Sequence, residues 1–73
     1  MILDEKQMLQ RLQKTEIELL DTVDALLAAS RLQSAKGYAR SAGDFAESAV
    51  RTYLLACSID SEYQSRMRAT EGK

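Results

Sequence analysis

The sequence predicts an all-α protein folded as an antiparallel helical hairpin. Apolar residues recur at helical spacing through the first half of the chain, within an arc about 120° wide. The chain contains no proline to interrupt a helix. Its 73 residues allow one small domain, so the apolar arc has little to pack against except a returning helix. The residues of this arc are Leu9, Leu12, Leu19, Leu20, Val23, Leu26 and Leu27.

The first helix is predicted to cover residues 5–35. Asp4 is a suitable N-cap, and Gln7 stands three residues later, which is the spacing of a capping box. No strong helix breaker follows until Gly37, which suits the left-handed position just after a helix. The positive charge of Lys36 is favourable at the negative end of the helix dipole. A short joint after this helix makes the two helices antiparallel neighbours.

The second helix is predicted to cover residues 41–66. Ser41 and Asp44 have the spacing of a helix start, and the tail 69–73 is expected to fray. The polar stretch 58–61 is a candidate break in this helix. Small side chains on its apolar side permit a close approach of the leucines of the first helix. That apolar side consists of Phe45, Ala46, Ala49, Val50, Tyr53, Ala56 and Cys57, and Tyr63 and Met67 extend it if the helix continues.

The composition argues against an enzyme and against a metal or cofactor site. The chain has no histidine, one cysteine and only three glycines, none of them in a phosphate-binding pattern. Cys57 is read as a small core residue, and a single cysteine fits a reducing cytoplasm. The net charge of −1 gives no basic field for a nucleic acid, and no apolar run is long enough to cross a membrane.

Several large apolar residues fall outside these stripes and predict a binding surface for a partner protein. Ile17 and Leu32 are displaced from the leucine arc of the first helix. Leu55 projects among polar residues of the second helix, and Leu54 flanks its apolar side. Isolated exposed leucines are common on soluble proteins, and that interpretation stays open for Leu32. Ile17, Leu54 and Leu55 are predicted to contact a partner.

Glu16 is a carboxylate near the centre of the leucine arc. In an antiparallel hairpin it should lie level with about Asp60, within range of Ser61, Gln64 or Arg66. A polar residue in a helical seam can fix the register and select the partner. The alternative is that the side chain simply reaches solvent near the end of the hairpin.

Short segments of the chain resemble a known family. The segments AKGY at 35–38, AESAV at 46–50 and YLLA at 53–56 look like those of small co-chaperones of type III secretion needle subunits. The resemblance implies a bacterial cytoplasmic protein that pairs with a larger helical-repeat co-chaperone and keeps the needle subunit monomeric. The contact residues it implies are Phe45, Ala49, Tyr53 and Leu54.

The sequence therefore predicts a protein–protein interaction module, a co-chaperone or adaptor, that binds a partner by burying apolar helix surface. Two alternatives stay open. One is a homodimeric four-helix-bundle regulator that binds nucleic acid through arginines such as Arg66 and Arg68, although acidic residues interrupt that positive field. The other is a structural subunit that assembles with copies of itself.

Overall fold

Two long antiparallel helices make up the protein, which confirms the predicted all-α hairpin. The computed structural model describes residues 4–71, with side chains for residues 4–69. Helix α1 is Glu5–Ala35 and helix α2 is Ala39–Glu71. They lie side by side in a rod of 55 × 23 × 15 Å. Neither helix, over the described residues, has an apolar stretch long enough to span a bilayer.

Helix α1 begins and ends where the sequence predicts. Asp4 has an extended backbone, and its side-chain oxygen accepts a hydrogen bond from the Gln7 amide at 2.7 Å. This bond satisfies one of the amides that a helix start leaves without a partner. The Asp4 carbonyl accepts the first helical bond, from the Met8 amide at 3.1 Å.

The joint between the helices is a tight turn closed by backbone hydrogen bonds. Gly37 has a φ of +83°, the left-handed conformation that glycine adopts without steric cost. The Tyr38 amide donates to the Gln33 carbonyl at 2.9 Å, and the Gly37 amide donates to the Ser34 carbonyl at 3.0 Å. These two bonds are the Schellman pattern that ends a helix and reverses the chain. Only three residues therefore separate α1 from α2.

Helix α2 is longer at both ends than the sequence predicts. The Tyr38 carbonyl accepts the Ala42 amide at 2.9 Å, so the helix begins at Ala39 and Ser41 lies inside its first turn. The helix therefore starts two residues before the predicted start near Ser41, because the Schellman turn is complete by Tyr38. The helix also continues through 58–61, where the apolar Ile59 is half-buried.

Helix α2 continues past its predicted end near residue 66, whereas the predicted fraying of the tail 69–73 stays a prediction. The helix extends to Glu71. Residues 72 and 73 lie outside the described residues.

A seven-residue repeat on both helices forms the seam between them. On each helix the side chains with the least exposure lie mainly at two positions of this repeat, which we label a and d. The a positions of α1 are Leu9, Glu16, Val23 and Ser30, and its d positions are Leu12, Leu19, Leu26 and Gln33. The a positions of α2 are Ala42, Ala49, Ala56 and Tyr63, and its d positions are Phe45, Thr52, Ile59 and Arg66.

The core of this seam is thin. Ala42, Ala49 and Ala56 are the buried residues among the described side chains, with 8%, 2% and 2% of their surface exposed. No residue of α1 is buried. The small α2 side chains let the helices approach closely, and the Ser30 hydroxyl donates to the Ala42 carbonyl across the seam at 2.7 Å. The hairpin thus pairs its helices but leaves much of their apolar surface uncovered.

Candidate protein-binding groove

One side of the hairpin carries a groove between the two helices. In an antiparallel pair the e positions of both helices lie on the same side of the seam, and the b positions continue it outwards. We call this the groove side. Its apolar members are Ile17, Leu20, Leu27, Val50, Tyr53, Cys57 and Met67.

Three depressions follow one another along the groove side. The depression at the open end of the hairpin has a volume of about 480 Å³ and lies between Leu9, Tyr63 and Met67. The middle depression, of about 230 Å³, is lined by Glu16, Leu20, Tyr53, Ala56, Cys57 and Asp60. The depression nearest the joint, of about 240 Å³, is lined by Val23, Leu27, Ala49, Val50 and Tyr53.

The groove side is unusually rich in exposed apolar surface. Val50 exposes 59% of its surface, and Tyr53 exposes 51%. Ile17, Leu20 and Leu27 on the facing helix expose 54%, 39% and 38%. A contiguous surface of this kind is typical of a protein-binding site, whereas single exposed leucines are not.

The opposite side of the seam is mainly polar. We call it the far side, and it consists of the g positions of both helices. Its members along the middle of the rod are Thr15, Thr22, Ala29, Ser48, Leu55 and Glu62. Among these six residues, Leu55 is the one large apolar side chain that is exposed, with 52% of its surface accessible. The groove side and the far side flank the same seam, but the groove side is mainly apolar and the far side is mainly polar.

Two carboxyl groups meet in the middle depression. Glu16 from α1 and Asp60 from α2 are both half-buried and line the same wall of the groove. Partial burial raises the pKa of Glu16, and the neighbouring Asp60 carboxyl raises it further through a hydrogen bond and through charge repulsion. The predicted register is confirmed, but the group that meets Glu16 is a second acid.

Tyr53 and Cys57 are neighbours on the α2 wall of the same depression. The pKa of Tyr53 is raised, first by a side-chain hydrogen bond with Cys57, then by the electrostatic interaction between the two side chains and by partial burial. Cys57 is a free thiol and is exposed. The prediction that Cys57 is a core residue is therefore wrong, because its b position lies beyond the seam.

The structure separates the residues predicted to bind a partner. Ile17 and Tyr53 lie on the groove side, whereas Leu55 lies on the far side. Leu54 lies on the outward face of α2, away from the seam, and lines none of the three depressions. Ala49 is buried in the seam, so its side chain serves the packing of the helices and is not available as a main contact for a partner.

Phe45, the remaining member of the predicted set, is half-buried at a d position of the seam. Sequence reasoning missed Leu20, Leu27 and Val50 as surface residues. It assigned them to the apolar stripes, because a helical period of 3.6 residues does not separate e and b positions from the seam. The seven-residue repeat is the signal that separates them.

Comparisons with protein-family models, with curated proteins and with solved structures give no match to this chain. The resemblance to needle-subunit co-chaperones therefore stays a prediction.

Proposed function

We propose that this protein is an interaction module that binds a helical segment of a partner protein in its groove. The single observation that carries the proposal is the concentration of exposed apolar side chains on the groove side. From Leu9 to Leu27 the groove runs for about 27 Å, which is the length of a helix of about 18 residues. An amphipathic helix would cover these side chains with anchors spaced three and four residues apart.

The free energy expected from burying these side chains is comparable with the lower range of the cost of association. Burying a fully exposed large apolar side chain contributes about 1.5–3 kcal/mol, so half-exposed ones contribute about 1 kcal/mol each. Five large apolar side chains of the groove side are exposed in this way: Ile17, Leu20, Leu27, Val50 and Tyr53. Together they offset a substantial part of the cost of bringing two molecules together, which is about 4–15 kcal/mol.

The resemblance adds a more specific form of this proposal. The chain would be a co-chaperone of a type III secretion needle subunit in the bacterial cytoplasm, and the docked helix would belong to a larger helical-repeat co-chaperone. Covering the groove would stabilise both proteins in one complex that holds the needle subunit as a monomer. The groove supports the docking step, and the resemblance alone supports the identity of the partner.

Site-specific photo-crosslinking tests the proposal. The photoreactive residue p-benzoylphenylalanine is placed at position 20 or 53 on the groove side, or at position 55 on the far side, and the protein is produced in its own cells. We expect crosslinks to one partner protein from positions 20 and 53, and few from position 55. Mass spectrometry of the crosslinked product names the partner.

Other outcomes would overturn the proposal. Crosslinks only between copies of this chain would favour the self-assembling subunit or the homodimeric regulator. Equal crosslinking from positions 53 and 55 would show that the groove is not the binding surface. A specific partner unrelated to secretion would refute the co-chaperone role but keep the docking role.

A further inference from the structure

The acidic pair in the middle of the groove constrains what the groove can bind. Glu16 and Asp60 line a depression whose other walls are Leu20, Tyr53, Ala56 and Cys57. Both acids lie among apolar side chains, so a helix docked in the groove would cover them. Removing a carboxylate from water without a compensating partner costs several kcal/mol.

Lys14 and Arg66 form ion pairs with other acids. Lys14, two residues from Glu16, contacts Glu18 at 4.0 Å. Arg66 contacts Glu62 at 2.8 Å and Glu5 at 4.0 Å. Glu16 and Asp60 themselves line the groove, so a molecule bound there would meet their carboxyl groups.

A second copy of this chain is a poor occupant of the groove. Suppose that two copies pair groove to groove, related by a twofold axis at the middle of the Leu9–Leu27 stretch, near residue 18. The two copies of Glu16 would then lie about 6 Å apart along the rod. Four carboxylates would then lie close together, and like charges repel. A pairing that brought Lys6 opposite Glu16 would be centred near residue 11. It would leave Leu20 and Leu27 uncovered.

We propose, building on the docking function above, that the bound helix carries a lysine or arginine within its apolar stripe and that this cation binds between Glu16 and Asp60. The apolar residues of that helix lie on Leu20, Leu27 and Tyr53, and the cation compensates the carboxylates that the helix covers. The acidic pair thereby selects the partner, since it disfavours both a purely apolar helix and a second copy of the chain.

Three synthetic peptides test this inference. Each is a helix of about 20 residues with one apolar stripe, and the three differ only at one central position of the stripe, which is lysine, norleucine or glutamate. Norleucine keeps the length of the lysine stem without its charge. Binding is measured by fluorescence anisotropy, and we expect the lysine peptide to bind about tenfold more tightly than the norleucine peptide. The glutamate peptide should bind most weakly.

A double variant provides the decisive comparison. Glu16→Gln with Asp60→Asn should abolish the preference for lysine over norleucine. The matched control, Asp21→Asn with Glu47→Gln, changes the net charge equally on the outward faces of the two helices and should keep the preference. Circular dichroism verifies that both variants remain helical.

The outcomes separate this inference from the proposed function. Equal binding of the lysine and norleucine peptides by the unmodified protein would overturn the cation site and leave the docking function standing. A lysine preference that survives in the acidic-pair variant would also overturn it. Failure of all three peptides to bind would overturn the docking function itself.

Discussion

The groove side and the far side of the hairpin differ although the same two helices form both. At corresponding distances from the seam, the groove side has Leu20, Leu27 and Tyr53, whereas the far side has one large exposed apolar residue, Leu55, among polar residues such as Thr22 and Glu62. If the exposed apolar residues only reflected a small chain with a thin core, they would be spread over both sides. Their concentration on one side indicates that the seam serves folding and that the groove side serves binding.

The largest expected effect comes from breaking the seam that both sides share. Ala49→Leu places a large side chain where the alanine is 2% exposed, and overpacking of this kind costs about 1–3 kcal/mol of unfolding free energy. The control is Ala28→Leu at an exposed position of α1, where we expect a change within about 0.5 kcal/mol. Urea unfolding followed by circular dichroism measures both. Equal stability of the two variants would show that the seam is not closely packed.

The second prediction compares the two sides directly. Tyr53 and Leu55 are equally exposed, at 51% and 52%, but project about 200° apart around α2. Tyr53→Glu should weaken binding of the lysine peptide about tenfold or more, as expected for a residue near the centre of an interface. Leu55→Glu should change the affinity less than about twofold. Leu55 lies outside the proposed interface, and large losses of binding free energy typically come from residues inside an interface. A larger loss with Leu55→Glu would restore the interpretation that the sequence alone suggests for Leu55.

A third prediction concerns the joint, which sets the register that brings Glu16 to Asp60. Gly37→Ala should lower the unfolding free energy by about 1 kcal/mol, because alanine is strained at a φ of +83° although its Cβ meets no atom within 4 Å. Gly43→Ala, inside α2 and equally free of contacts, should raise it by about 0.5–1 kcal/mol. Thermal unfolding measures both changes. Two shifts of the same sign would contradict the turn geometry.

The smallest expected effect is the pH dependence of stability. Because the pKa of Glu16 is raised in the folded chain, the folded state binds more protons than the unfolded state between the ordinary glutamate pKa and the raised value. Stability therefore falls as the pH rises through that interval. Glu16→Gln should remove this fall and raise the melting temperature at pH 7 by a few degrees at most.

The control for this prediction is Glu18→Gln, which removes the same charge from an exposed residue that contacts Lys14. It should leave the melting temperature at pH 7 unchanged or slightly lower. A lower melting temperature in the Glu16 variant would mean that a cation compensates the Glu16 carboxylate within the hairpin.

The sequence predicts the fold better than it predicts the candidate site. Asp4 and Gly37 act locally, through a cap and a left-handed turn, so the bounds of α1 and the hairpin itself follow from neighbouring residues. The bounds of α2 do not, since its first residue depends on how the turn closes. The extension of α2 past residue 58 follows the seam repeat, which includes Ile59 and Tyr63.

The groove is harder to predict because it depends on which apolar residues the partner helix leaves uncovered. Leu20 and Leu19 are adjacent in one leucine arc, yet Leu19 lies in the seam and Leu20 beside it. Only the pairing of the two seven-residue repeats distinguishes them. The position of Glu16 level with Asp60 was predictable from the antiparallel register, but the hydrogen bond between the two carboxyl groups was not.

Thiol protection tests most directly whether the groove side is the surface that becomes covered. Cys57 is exposed on the groove side, and the variant Cys57→Ser with Ser48→Cys moves the thiol to the far side. Alkylation rates of both proteins are measured with and without saturating lysine peptide. We expect the peptide to slow alkylation of Cys57 and to leave the thiol at position 48 as reactive as before. Equal protection of both thiols, or protection only at position 48, would contradict the assignment of the groove as the binding surface.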